Sequence, residues 1–146
     1  MQLTNDVKIT VVSPAAAAAQ TAINSSVLDM SGYEGVMFIA LLGDVTTTSI
    51  LTLTAKGNTA NSVSSPSPVT QKATAAFTAD ATSADSKALV VDVYKPAMQY
   101  IFANLTRTVA DAIVGGIIAI QYNANNKPTT NDASVIASAL GLGVVA

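Results

Sequence analysis

Apolar and polar residues alternate with a period of two along most of this chain, the spacing of strands that bury one face. Val7, Ile9 and Val11 alternate with Lys8 and Thr10, which predicts a first strand ended by Ser13 and Pro14. The AAAAAQ run that follows reads as a helical turn or as an extended arm, because Ser-Pro resembles a helix start but the run allows barely two turns. A β pattern returns from Thr21 to Met30 and meets a tight turn, with Asp29 and Gly32 placed at the first and fourth positions of a type I turn. Val36 to Leu42 is apolar at both parities, which predicts a central strand covered on each side.

A hairpin through Gly43-Asp44 and the Thr46–Thr48 cluster leads to a strand over Ile50 to Ala55, with Leu51 and Leu53 inward. Lys56 to Val69 has little to bury and reads as a long surface loop. Further strands are predicted over Lys72 to Thr78, Lys87 to Tyr94, Gln99 to Arg107 and Ala112 to Tyr122. Lys95-Pro96 stops one of them, and Gly115-Gly116 marks a bulge in the last. About eight strands with short connections predict an all-β fold, an antiparallel β-sandwich of jelly-roll type with terminal arms.

Residues 1–122 form the sandwich domain in this reading, and 123–146 form a polar linker and an apolar tail. Asp132 is placed to cap a short helix closed by Gly141. The tail residues Val135, Ile136, Leu140, Leu142 and Val144 either fold back on the sandwich or dock on a neighbour. Asn58 and Asn61 in the long loop are the other candidate contacts.

Composition narrows the chemistry. Half the residues are hydrophobic while only 11% are charged, against roughly 25% in an average domain. Ser, Thr, Asn and Ala must therefore build the surface, which suits burial against a partner or against further copies. The net charge of −2 and the scattered cations oppose nucleic-acid binding. The longest apolar run, Ile113 to Ile120, is far shorter than the roughly 20 residues of a membrane-crossing helix. The N-terminus has no signal-peptide pattern, so synthesis in the cytoplasm is expected.

There is no Cys and no His, which removes disulfides, thiolate metal sites and the commonest general base. Asp92 and Asp111 could meet across strands as a carboxylate pair, but they read more simply as face and turn residues. Gly141-Leu142-Gly143 lacks the strand and helix of a nucleotide-binding loop. Tyr33, Phe38, Phe77, Tyr94, Tyr100, Phe102 and Tyr122 fall at packing positions. No enzyme activity, cofactor or metal is expected.

The stretch DMSGYEGVMFIALLGDVT resembles small structural proteins encoded in the head modules of tailed bacteriophages, the capsid decoration or cement proteins. The later YKPAMQYIFANLTRTVADAIVGGIIAIQY, followed by the Pro of NNKPTT, is similar to the same family. The resemblance implies a β-sandwich, often a jelly roll, on the outer capsid surface of the virion. It implies attachment to the major capsid protein, ties between neighbouring capsomers that stabilise the shell, and a homo-oligomer, a dimer or trimer. The alternatives are a receptor- or glycan-binding module of a phage fibre, with Asn58 and Asn61 as contacts, and a head-tail or tail-tube component.

Overall fold

The computed structural model describes residues 2–143. A single helical turn, α1 (Leu3–Asp6), precedes eleven β segments. In chain order these are β1 (Lys8–Ser13), β2 (Ala16–Ala19), β3 (Ile23–Asn24), β4 (Leu28–Asp29), β5 (Gly35–Val45), β6 (Ile50–Asn58), β7 (Val69–Ala73), β8 (Phe77–Thr78), β9 (Ala88–Tyr94), β10 (Tyr100–Thr108) and β11 (Ala112–Tyr122). They form two antiparallel sheets packed as a sandwich. The first runs β1-β11-β5-β9, with β2 also on β11. The second runs β3-β10-β6-β7, with β4 on β10 and β8 on β6.

Several segments are pieces of one strand broken by a kink. β2 continues β1 along β11 beyond Pro14, β3 and β4 share β10, and β7 and β8 share β6. Eight strand positions remain, and in chain order they fall as 1-8-3-6 in the first sheet and 2-7-4-5 in the second.

The period-two pattern drives this packing. Val36, Phe38, Ala40 and Leu42 of β5 face Leu51, Leu53 and Ala55 of β6 and Ile101, Ala103 and Leu105 of β10 across one buried core. Each fully buried Leu, Ile or Phe contributes on the order of 1.5–3 kcal/mol, which makes this core the main favourable contribution holding the two sheets together. The Gly115-Gly116 bulge is present: the β11–β5 register shifts at Gly116, whose φ of +141° suits glycine.

Of the two readings of the alanine run, the structure takes the extended arm, as β2. Several other expectations are corrected. The turn after Asp29 sits one residue later than predicted: Tyr33 N–H donates to Met30 O at 3.1 Å, and Gly32, with φ +86°, takes the third position, where type II turns need a positive φ. Asp29 Oδ1 instead accepts from Ser31 N–H at 2.9 Å. This bond, and then the Ser31 hydroxyl, holds the Asp29 carboxyl below its usual range. β5 is central in its sheet, yet only its inner face is covered, and Met37, Ile39 and Leu41 look outward. Asp132 caps one turn, with Val135 N–H donating to Asp132 O at 2.9 Å, and no helix runs on to Gly141. Phe77 and Tyr94 are exposed, not packed.

Candidate interaction surface

The two outer faces of the sandwich differ in chemistry. On the second sheet the outward positions are Thr52, Thr54 and Lys56 of β6 beside Thr106, Asn104 and Phe102 of β10. Phe102 alone among them is large and apolar, and it is buried. This is the polar outer face expected of a sheet in water.

The first sheet breaks that rule. Register aligns Val11 of β1, Ile118 of β11, Ile39 of β5 and Val90 of β9 in one row across all four strands. The next row on the same face is Ile9, Ile120, Met37 and Asp92, and Leu41 lies beyond the first row on the other side. Val11, Leu41 and Val90 are 41%, 45% and 49% exposed. Four strands about 4.8 Å apart and five residues at about 3.4 Å give an apolar field of roughly 200–330 Å². The sequence signal for it was the double-parity apolar run of β5, which reads as double coverage unless the neighbouring strands are known.

One end of this field closes on a polar anchor. Tyr122 OH donates to Asp92 Oδ1 at 2.6 Å, and the Tyr122 ring lies over Gly35, where a Cβ would fall 2.2 Å from the ring carbon Cζ. Partial burial, then the Asp92 bond and charge, push the Tyr122 hydroxyl pKa upward. Asp92 therefore serves Tyr122. Asp92 pairs with Met37, whereas Asp111 lies beside Thr46, nine residues further along, a separation of roughly 30 Å, and the two carboxylates do not form a pair. Among the described residues no three His, Cys, Asp or Glu side chains are grouped to hold a metal ion.

The edge of the first sheet is blunted. β1 has a free side, and residues 129–134 run along it. Asn131 Oδ1 accepts from Ile9 N–H at 3.0 Å, Asp132 N–H donates to Ile9 O at 3.2 Å, and Ser134 Oγ accepts from Val11 N–H at 2.8 Å. Ser134 N–H, followed by its hydroxyl, holds the Asp132 carboxyl below its usual range. Side chains thus occupy the donors that would otherwise recruit a further strand.

Past Val135 the chain leaves the body. Ile136 is 100% exposed, Leu142 76% and Leu140 46%, while Val135 is half-buried. Val144 lies outside the described residues. Gly141 and Gly143 have no neighbour that a Cβ would meet, and no loop for nucleotide phosphates forms there.

Asn58 is not available to a partner. It is buried, its amide donates to Ser62 O at 2.9 Å and Pro66 O at 2.8 Å, and its Oδ1 accepts from Ala60 N–H. It braces the 59–68 loop from below, and Asn61 stays exposed above it. Loop composition suggested contact residues, but a buried Asn able to satisfy three backbone groups is a loop anchor.

Arg107, the one arginine, is buried at the end of the sandwich without a carboxylate partner among the described residues. Its guanidinium donates to Ala17 O, Ala112 O, Thr21 O and Thr21 Oγ1 at 2.7–3.0 Å and clamps the β2 arm to the body. Gln121, also buried, donates to Asp29 O at 3.0 Å and ties the 30–33 turn to β11.

Two concavities lie on the surface of the described residues. An open groove of about 420 Å³ lies by Tyr33, Glu34, Lys95 and Gln99. A smaller, mainly apolar pit of about 210 Å³ opens at the β9 edge between Phe77, Leu89, Leu42, Ala84 and Ala88, with Lys87 on its rim. No protein-family model matches the chain, and no curated protein is significantly similar to it.

Proposed function

We propose that this protein is a structural module of a bacteriophage virion that decorates the outside of the capsid shell and cements neighbouring subunits. The observation that carries the reading is the apolar outer face of the first sheet. A sandwich free in water gains nothing from Val11, Ile39, Leu41 and Val90 on its surface, whereas a shell subunit covering them removes that area from water. The field supplies roughly a quarter to two-fifths of the roughly 800 Å² that each partner contributes to a stable interface. The rest falls to neighbouring arms and loops.

The strand order 1-8-3-6 and 2-7-4-5 supports a jelly roll, the form of sandwich that the sequence resemblance implies. Scarcity of charge supports attachment by apolar packing and hydrogen bonds. Such a protein stabilises the closed shell by mass action, because it binds the assembled form alone.

The test is to mix the purified protein with shells of the source phage that lack it, sediment them and count bound copies. Saturation at a copy number fixed by the lattice is expected. The Leu41→Glu, Val90→Glu double variant, whose changed residues are half exposed and should leave the fold intact, is expected to lose that binding. Absence of saturable binding by the natural protein overturns the assignment, and full binding by the variant overturns the role of the face.

A further inference from the structure

The apolar tail and the β9-edge pit lie on opposite edges of the same sheet. Residues 129–134 run parallel to β1, from Val7 towards Val11, so the tail is delivered along that edge towards Ser13. Across the sheet the Ser13 end aligns through Ile117 and Ala40 with Leu89, which lines the pit. Tail and pit therefore share one end of the sandwich and are separated by its width, three strand spacings or about 14 Å.

Their chemistry also matches. The pit, at about 210 Å³, is below the roughly 300–1,000 Å³ of small-molecule sites and has the room of an anchoring aliphatic side chain or two. Residues 136–143, IASALGLG, carry no charge and expose Ile136, Leu140 and Leu142. A tail turned onto its own sheet would cover the row Val11, Ile118, Ile39 and Val90, yet the ends of that row are 41% and 49% exposed. It points away from its own body.

We propose that the tail of one copy, through Ile136, Leu140 or Leu142, seats in the Phe77–Leu89 pit of a second copy. A contact joining one edge of each copy to the opposite edge of the next is heterologous, so it propagates head to tail and closes as a ring where the rotation permits.

The chain has no cysteine, which makes directed cross-linking clean. The exposed residues Ala139, beside Leu140, and Ala88, on the pit rim, are each replaced by Cys in separate full-length proteins, Ala139→Cys and Ala88→Cys. Oxidising a mixture of the two is expected to give a covalent dimer containing one chain of each, and neither protein alone should give comparable yield. The double variant should give a ladder of covalent oligomers or a closed ring. Adding Ile136→Asp, Leu140→Asp and Leu142→Asp to the Ala139→Cys protein should reduce the yield to that of the single-cysteine controls, with an unchanged circular dichroism spectrum. A double variant that cross-links within one chain and stays monomeric overturns the proposal, as does a mixture that fails to cross-link or cross-linking that ignores the Asp substitutions. No shell takes part in these measurements, so their failure leaves the decoration reading standing, and loss of shell binding leaves this contact standing.

Discussion

Replacing Arg107 with Lys keeps the positive charge buried while removing the means of satisfying it. The guanidinium reaches three carbonyls and one hydroxyl of three residues on two pieces of chain, Ala17 and Thr21 of the β2 arm and Ala112 of β11. An ammonium group offers its donors from a single point and cannot span them, so at least two of the four bonds are lost. A hydrogen bond from a charged donor is worth about 1.5–3 kcal/mol, and water recovers part of that at the exposed residues Ala17 and Thr21. The expected destabilisation is about 3 kcal/mol. For a chain of this length that lowers Tm by roughly 6–12 °C. Urea unfolding followed by circular dichroism measures it, and amide exchange should show faster opening of Ala16–Ala19 than of β11. Arg107→Met, which removes the charge together with its donors, should be less harmful than Arg107→Lys because no ion is left buried. A Lys variant within about 0.5 kcal/mol of the natural protein, or one that loses stability without loosening β2, would refute the clamp.

Three further outcomes follow from the same contacts. The folded state favours neutral Tyr122, whose pKa is raised above its ordinary value of 10.0. Its contribution is therefore complete below pH 10 and declines as pH rises above that, and Tyr122→Phe should flatten this part of the stability profile in alkaline denaturant titrations. Asn58→Ala removes three hydrogen bonds from the base of the 59–68 loop and should cost about 2–3 kcal/mol, with faster proteolysis inside the loop as the local readout. Asn131→Ala with Ser134→Ala bares the N–H groups of Ile9 and Val11 and should promote strand-edge association, read as a concentration-dependent rise in sedimentation mass.

Much of the fold was legible because it rests on local alternation. β11 begins and ends where its pattern predicts, and β9 and β10 shift by a single residue at their termini. What the sequence hid depends on contacts between distant segments. The alanine run settles as a strand and not a helical turn because β11 pairs with it and the Arg107 guanidinium, 90 residues away in sequence, donates to Ala17 O. Asn58 looked like a surface contact because nothing local reveals that the loop folds over it. The 30–33 turn slipped one residue because Gly32 can take the positive φ that a type II turn needs, and Gln121 fixes the result from β11. The apolar field was half visible in β5, but its extent appears only when Val11, Ile118 and Val90 are brought into register beside Ile39.

The protein treats the edge and the face of its first sheet in opposite ways. Along β1 it occupies free backbone groups with Asn131, Asp132 and Ser134, the arrangement that blocks pairing with another strand. Over the adjoining face it leaves aliphatic side chains in water and places no cation among them. Uncontrolled sticking would favour the edge, since unpaired strands associate with little regard to partner. Blocking the β1 edge while leaving the face open directs association on that side of the sheet to surfaces that fit the rows of Val, Ile and Leu side chains. Such attachment draws on apolar area and shape rather than on ion pairs, so it should persist at salt concentrations that screen charges beyond a few ångströms. That separates it from electrostatic adsorption to an oppositely charged surface.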